Sequence, residues 1–208
     1  ADCCKDLSCP VVSGNVSLYN ESAGRAILPT PLVCSVGILP ASNFPLLPGK
    51  WKEGDLLFLA GIENASIPGS HFQAVLQGRL AGRPLPPSPE METEFMERAL
   101  QTARQRLASS AVPLLGGGLG IAIGKEAIAS GVGAQIELEL PTHPLALFFA
   151  EGGARALYAV PAAKVPEFIR TWTGFPFRMI GKVGGDSLCL PHSEPIPLEI
   201  LSNVWKGA

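Results

Sequence analysis

Three residues within four positions could do chemistry: Gly14, Asn15 and Ser17, in the run Pro10-Val-Val-Ser-Gly-Asn-Val-Ser-Leu-Tyr-Asn-Glu21. Gly14 has no Cβ, so another group can come close to its backbone. Asn15 offers an amide oxygen and Ser17 a hydroxyl. Both are hard oxygen ligands of the kind that suit Mg²⁺ or a phosphate-bearing molecule. Gly-Asn is also a turn dipeptide, and on spacing alone an ordinary hairpin turn is the better reading.

These residues need elements to position them. Val11 and Val12 read as a strand running into the Ser13-Gly14-Asn15 turn, and the strand pattern extends over 10–19. A second strand is expected over 31–39, Pro31 to Leu39, apolar enough to be covered on both faces. Residues 1–9 read as the last turns of a helix stopped by Pro10. The abrupt start, without Met, points to a piece of a longer chain.

The motif as a whole carries more than its spacing. Pro-Val-Val-Ser-Gly-Asn-Val-Ser-Leu-Tyr-Asn-Glu, followed by Ile27-Leu-Pro-Thr-Pro-Leu-Val33, resembles the synthetase subunit of phosphoribosylformylglycinamidine synthase. The resemblance covers nearly all of this sequence and the C-terminal portion of that enzyme. It implies an ATP-dependent, amidine-forming C–N ligase of purine biosynthesis. Gly14 would contact ATP, Asn15 would ligate magnesium and Ser17 would bind substrate. The substrate would be formylglycinamide ribonucleotide, with ammonia supplied by a glutaminase subunit or domain. The catalytic His and acids would lie in the N-terminal half of the enzyme, so these residues alone are expected to be inactive. A second reading, from a different class, is a non-catalytic scaffold module that kept the fold. A third is a related ATP-dependent step such as aminoimidazole ribonucleotide or selenophosphate synthesis, which the Tyr19-Asn20-Glu21 continuation disfavours.

Composition sets limits on these readings. Of 208 residues, 47% are hydrophobic and 16% charged, which is ample for a core and unlike a disordered chain. A net charge of −2 without a Lys/Arg cluster argues against nucleic acid or an anionic membrane as partner. No apolar run approaches the roughly 20 residues of a spanning helix. The five cysteines are odd in number and scattered, which fits reduced thiols in the cytoplasm. Cys3-Cys4-x4-Cys9 lacks zinc-site spacing. His71, His143 and His192 stand far apart in loop-like settings and read as solvated or locally hydrogen-bonded.

Beyond a Pro/Gly-rich loop at 40–50, Gly54–Gly61 reads as a buried strand. Ser88-Pro89-Glu90 signals a helix start, with Ser88 as N-cap and Pro89 at its first position. Gly116-Gly-Gly-Leu-Gly-Ile-Ala-Ile-Gly124 opens a buried helix ending at Gly131. A glycine run before a helix can hold phosphate. Its spacing fits neither G-x-x-x-x-G-K-[ST] nor G-x-G-x-x-G, so a tight structural turn is an equal reading. Relatives usually carry an acidic, hydroxyl-bearing run before this helix. Here it is Ala111-Val-Pro-Leu-Leu115, and the acids are gone.

A strand is expected from Gly133. The Ala150–Arg155 turn, where Glu151 is either a substrate contact or a partner of Arg155 in orienting the turn, leads into a strand over 156–160. A helix follows from Pro161 to Trp172, then a hairpin of 177–183 with 187–190 around Gly184-Gly185-Asp186, and a last helix from Pro197. The expected fold is α+β: the C-terminal part of a β-rich ATP-site domain over 1–62, then a domain over 63–208 with helices on one face of a mixed sheet, of the aminoimidazole ribonucleotide synthase C-terminal type. Strand edges left open by a truncated first domain would favour self-pairing, so a homodimer is expected as an option.

Overall fold

A computed structural model describes residues 2–27, 30–38, 46–61, 66–139 and 144–207. By contacts the chain forms two units, Ala1–Asn43 and Phe44–Ala208.

The first unit opens with α1 (Asp2–Asp6). Its end is closed by Ser8 at φ 50°, with Cys9 N–H donating to the Cys4 carbonyl and Ser8 N–H to the Lys5 carbonyl, the bond pattern of a left-handed helix cap. β1 (Glu21–Ser22) and β2 (Arg25–Ala26) pair antiparallel, Glu21 with Ala26 and Ser22 with Arg25. Ala23 and Gly24 both have positive φ, which lets two residues reverse the chain.

The strands expected over 10–19 and 31–39 are corrected here. Residues 10–20 and 30–38 form no regular structure, and Leu39 lies outside the described residues. A strand needs a neighbour to take up its N–H and C=O groups, and in this unit the described pairing is confined to 21–26. The apolar side chains that suggested strands are exposed, Val12 at 92%, Leu18 at 90% and Ile38 at 96%. Their pattern is one of burial, and among the described residues of this unit no surface covers them.

The second unit holds a seven-stranded sheet. Its strands are β3 (Leu56–Gly61), β4 (Ser110–Pro113), β5 (Ala134–Ile136), β6 (Arg155–Val160), β7 (Phe177–Val183), β8 (Ser187–Cys189) and β9 (Ile196–Pro197), in the order β4-β6-β3-β7-β5-β8-β9. Every pairing is antiparallel except β5 with β8. β3 was assigned above to the first domain, ending at residue 62. It instead pairs on both sides within this sheet, and the contact division falls near residue 43.

Helices cover both faces, not the single face expected. β3 shows why. Leu57 and Leu59 enter a core with Leu119, Ile123, Ile136 and Ile180. Phe58 and Ala60, on the alternate face, enter another with Tyr158, Val160, Phe168 and Trp172. The first core is roofed by α4 (Gly118–Ser130), α5 (Pro144–Phe149) and α7 (Leu198–Lys206). The second lies under α3 (Pro89–Arg104) and α6 (Val165–Trp172). A further helix, α2 (His71–Gln77), precedes these and was not foreseen.

Helix boundaries follow the local signals. Ser88 Oγ accepts from Met91 N–H at 3.4 Å, with Pro89 at the first position of α3. Gly131 ends α4 at φ 67°. The hairpin expected between β7 and β8 does not form, because β5 inserts between them. Gly133 N–H donates to the Gly185 carbonyl and Gly184 N–H to the Gly133 carbonyl, so the 184–186 turn straddles the start of β5. A Cβ at Gly133 would collide with the Ser187 backbone, which is why a glycine stands there.

Candidate functional site

Gly14, Asn15 and Ser17 lie on the exposed, irregular stretch of the first unit. A Cβ at Gly14 would meet nothing within 4 Å, so its backbone is open to approach from outside. Asn20 Nδ2 donates to the Ser17 carbonyl at 3.2 Å, a local bond of the kind short polar side chains make in irregular segments. The three residues supply neutral oxygens. Among the described residues no group of three or more His, Cys, Asp or Glu side chains converges as a metal site.

In the second unit a different set of groups converges. Glu151 lies between α5 and β6, and its backbone forms a two-way bridge with Ser66 at 3.0 Å in each direction. That bridge aims its side chain at the glycine turn before α4. Glu151 Oε1 accepts from Gly117 N–H at 2.8 Å and from His71 N–H at 2.8 Å. The His71 ring Nδ1 lies 3.2 Å from Oε1 and 3.3 Å from Oε2. Three donors from two distant segments thus meet one carboxyl group.

Partial burial pushes the Glu151 carboxyl up. The hydrogen bonds from Gly117 and His71, with the charge of the ring, together outweigh it and hold the group below the ordinary carboxylate range. The stabilisation this gives is present above the unfolded-state pKa and is lost as pH falls through the lowered folded-state value. Gly117 sits at φ 86° as the cap of α4. A Cβ at Gly116 would lie 2.8 Å from the His71 ring, so the imidazole rests flush against that glycine.

His71 is therefore hydrogen-bonded, but to a residue 80 positions away and from the first position of α2, not locally from a loop as read from the sequence, and His192 is exposed at φ 57°. His143 lies outside the described residues. Arg155 is buried and its Nη1 donates to the Ala150 carbonyl at 3.2 Å, which ties the turn as expected. Sequence reasoning missed the Glu151–His71–Gly117 set. Its members are 80 and 34 residues apart, and no local pattern joins them. Cys4, Cys9, Cys34 and Cys189 are free thiols.

No protein-family profile matches the chain. Thermotoga maritima PurL complexed with FGAR superposes with a TM-score of 0.62 at 16% identity, covering 76% of this chain and 29% of that one. The same protein complexed with ATP gives 0.58 at 14% identity, over 76% and 27%. The class is thus the aminoimidazole ribonucleotide synthase-like α/β fold.

Sequence narrows it further. Phosphoribosylformylglycinamidine synthase subunit PurL of Allorhizobium ampelinum is 38% identical over 214 residues, 99% of this chain and 28% of that protein. The Moorella thermoacetica protein of the same name is 40% identical over 190 residues, 89% and 26%. The chain belongs to the phosphoribosylformylglycinamidine synthase synthetase-subunit family and spans about 28% of the length of the curated relatives it matches.

Proposed function

We propose that this chain acts as the C-terminal portion of an ATP-dependent synthetase that converts formylglycinamide ribonucleotide and ammonia to formylglycinamidine ribonucleotide. The carrying observation is that the match to the synthetase subunit, at 38% identity, extends over 99% of the chain and so spans the Gly14-Asn15-Val16-Ser17 stretch. The exposure of that stretch and the open space around Gly14 support its use as a ligand-facing edge.

In this reading Gly14 lets the nucleotide approach the backbone, and Asn15 places its amide oxygen at the cation. Ser17 offers its hydroxyl to the substrate. Magnesium, when bound, would neutralise charge building on the phosphate oxygens. A glutaminase partner and the N-terminal half of the enzyme complete the assembly. A PurLQS structure of the Thermotoga protein is a precedent for such complexes. A cytoplasmic setting and a homodimer belong to the same proposal.

Two experiments test it. The 208 residues alone should form no amidine from ATP, ammonia and formylglycinamide ribonucleotide; measurable turnover would show that the rest of the enzyme is dispensable. In the full-length synthetase, Asn15→Ala should raise the magnesium concentration for half-maximal activity by about tenfold, the scale on which metal sites respond to loss of a supporting group. An unchanged magnesium dependence would remove Asn15 from the site.

A further inference from the structure

We propose that the Glu151 carboxylate is an intramolecular ligand that closes the glycine turn before α4 to phosphate-bearing molecules. This goes beyond the assignment of Gly14, Asn15 and Ser17 and does not depend on it. A glycine turn opening a 13-residue helix ordinarily leaves N–H groups pointing at an anion. Here the anion comes from the chain itself. Glu151 Oε1 takes the N–H of Gly117 and the N–H of His71, each at 2.8 Å. One donor belongs to the turn and the other to the first residue of α2, and two backbone N–H groups converging on one oxygen is the way a backbone site would hold a phosphate oxygen.

Two further features keep the closure in place. The backbone bridge between Glu151 and Ser66 fixes the carboxylate's origin, so it is not a freely swinging side chain. The His71 ring covers Gly116, filling the space a ligand would need beside the turn. On the other side, a Cβ at Gly118 would meet the Ala150 and Phe148 carbonyl oxygens at 2.7 and 2.8 Å, so the turn has no slack there either. A phosphate would have to displace a tethered carboxylate whose local concentration is far above that of any solute. It would also have to displace the imidazole.

The test uses inorganic phosphate as the probe on the full chain, with amide NMR following Gly117. In the wild type the Gly117 and His71 amides should keep the downfield positions of carboxylate-bound N–H groups and stay unmoved by phosphate. Glu151→Ala should acquire saturable phosphate binding at Gly117, at least about tenfold tighter than any seen in the wild type, in keeping with a helix N-terminus freed of its internal anion. Glu151→Ser, which keeps a small polar side chain, should do the same and serves where the Ala variant folds poorly. Saturable binding at Gly117 in the wild type would overturn the proposal. So would a folded Glu151 variant that gains no binding.

Discussion

Trp172→Ala should destabilise the chain by about 3–5 kcal/mol, the range for removing a large aromatic from a packed core. Trp172 is 0% exposed at the end of α6. Its ring centroid lies 5.6 Å from that of Phe95, 5.5 Å from Tyr158, and 5.9 Å from both Phe168 and Phe175. These four rings come from α3, the sheet, α6 itself and the turn after it. One indole therefore joins both helices to the β3–β6 face.

The indole is also a donor: Nε1–H reaches Thr102 Oγ1 at 3.0 Å, and the Thr102 hydroxyl in turn donates to the Arg98 carbonyl at 2.8 Å. Trp172→Phe would keep much of the volume. It would leave the Thr102 oxygen without its incoming bond while its outgoing one survives, so a loss of about 1–2 kcal/mol is expected. Urea unfolding of both variants measures the difference. An Ala variant within 1 kcal/mol of the Phe variant, on the scale of a single hydrogen bond, would mean that the aromatic cluster collapses onto the hole and is not a rigid clamp.

How much of this was legible in the sequence depends on the range over which the cause acts. Ser88-Pro89 and Gly131 mark the ends of α3 and α4 because capping is settled within one turn. The apolar run Leu56–Gly61 announced a buried strand. That both faces were covered was present in its composition, since Leu57 and Leu59 alternate with Phe58 and Ala60 and neither set is polar. Strand order was not legible. Gly184-Gly185-Asp186 has hairpin chemistry, and nothing near it says that Ala134–Ile136, some 50 positions earlier, takes the place between the two arms.

The candidate site divides in the same way. Gly14, Asn15 and Ser17 could be named because a long, specific motif carries them, while the strand drawn around them needs partners that the described residues of their unit lack. The Glu151 set lay hidden for the opposite reason. Each residue has a bland local reading, and only the fold brings the carboxylate to the glycine turn. What the fold adds is the carboxylate itself, seated on the Gly117 N–H at 2.8 Å.

Glu126→Ala should cost about 3–5 kcal/mol through a mechanism unlike that of Trp172, because it strands one buried and one half-buried donor. Glu126 is 2% exposed on α4, facing the loop before β3 and the start of β4. Its Oε1 accepts from Gly49 N–H at 2.8 Å and its Oε2 from Ser110 Oγ–H at 2.6 Å. One turn on, Ser130 Oγ accepts from Trp51 N–H at 3.0 Å, so the 49–51 loop is stitched to α4 at two points. Gly49 sits at φ 68°, and a Cβ there would lie 2.9 Å from the Ala129 Cβ, so the loop meets the helix too closely for any other residue. Removing the carboxyl leaves an amide and a hydroxyl facing each other across a void, with Ser110 only 1% exposed. Glu126→Gln separates this from lost volume. Its carbonyl oxygen can still accept from Gly49, and its amide can donate to the Ser110 oxygen, so about 1 kcal/mol is expected. Unfolding midpoints for the two variants should therefore be well apart. If they coincide, water has taken over both donors and the buried carboxyl is not what holds the loop to the helix.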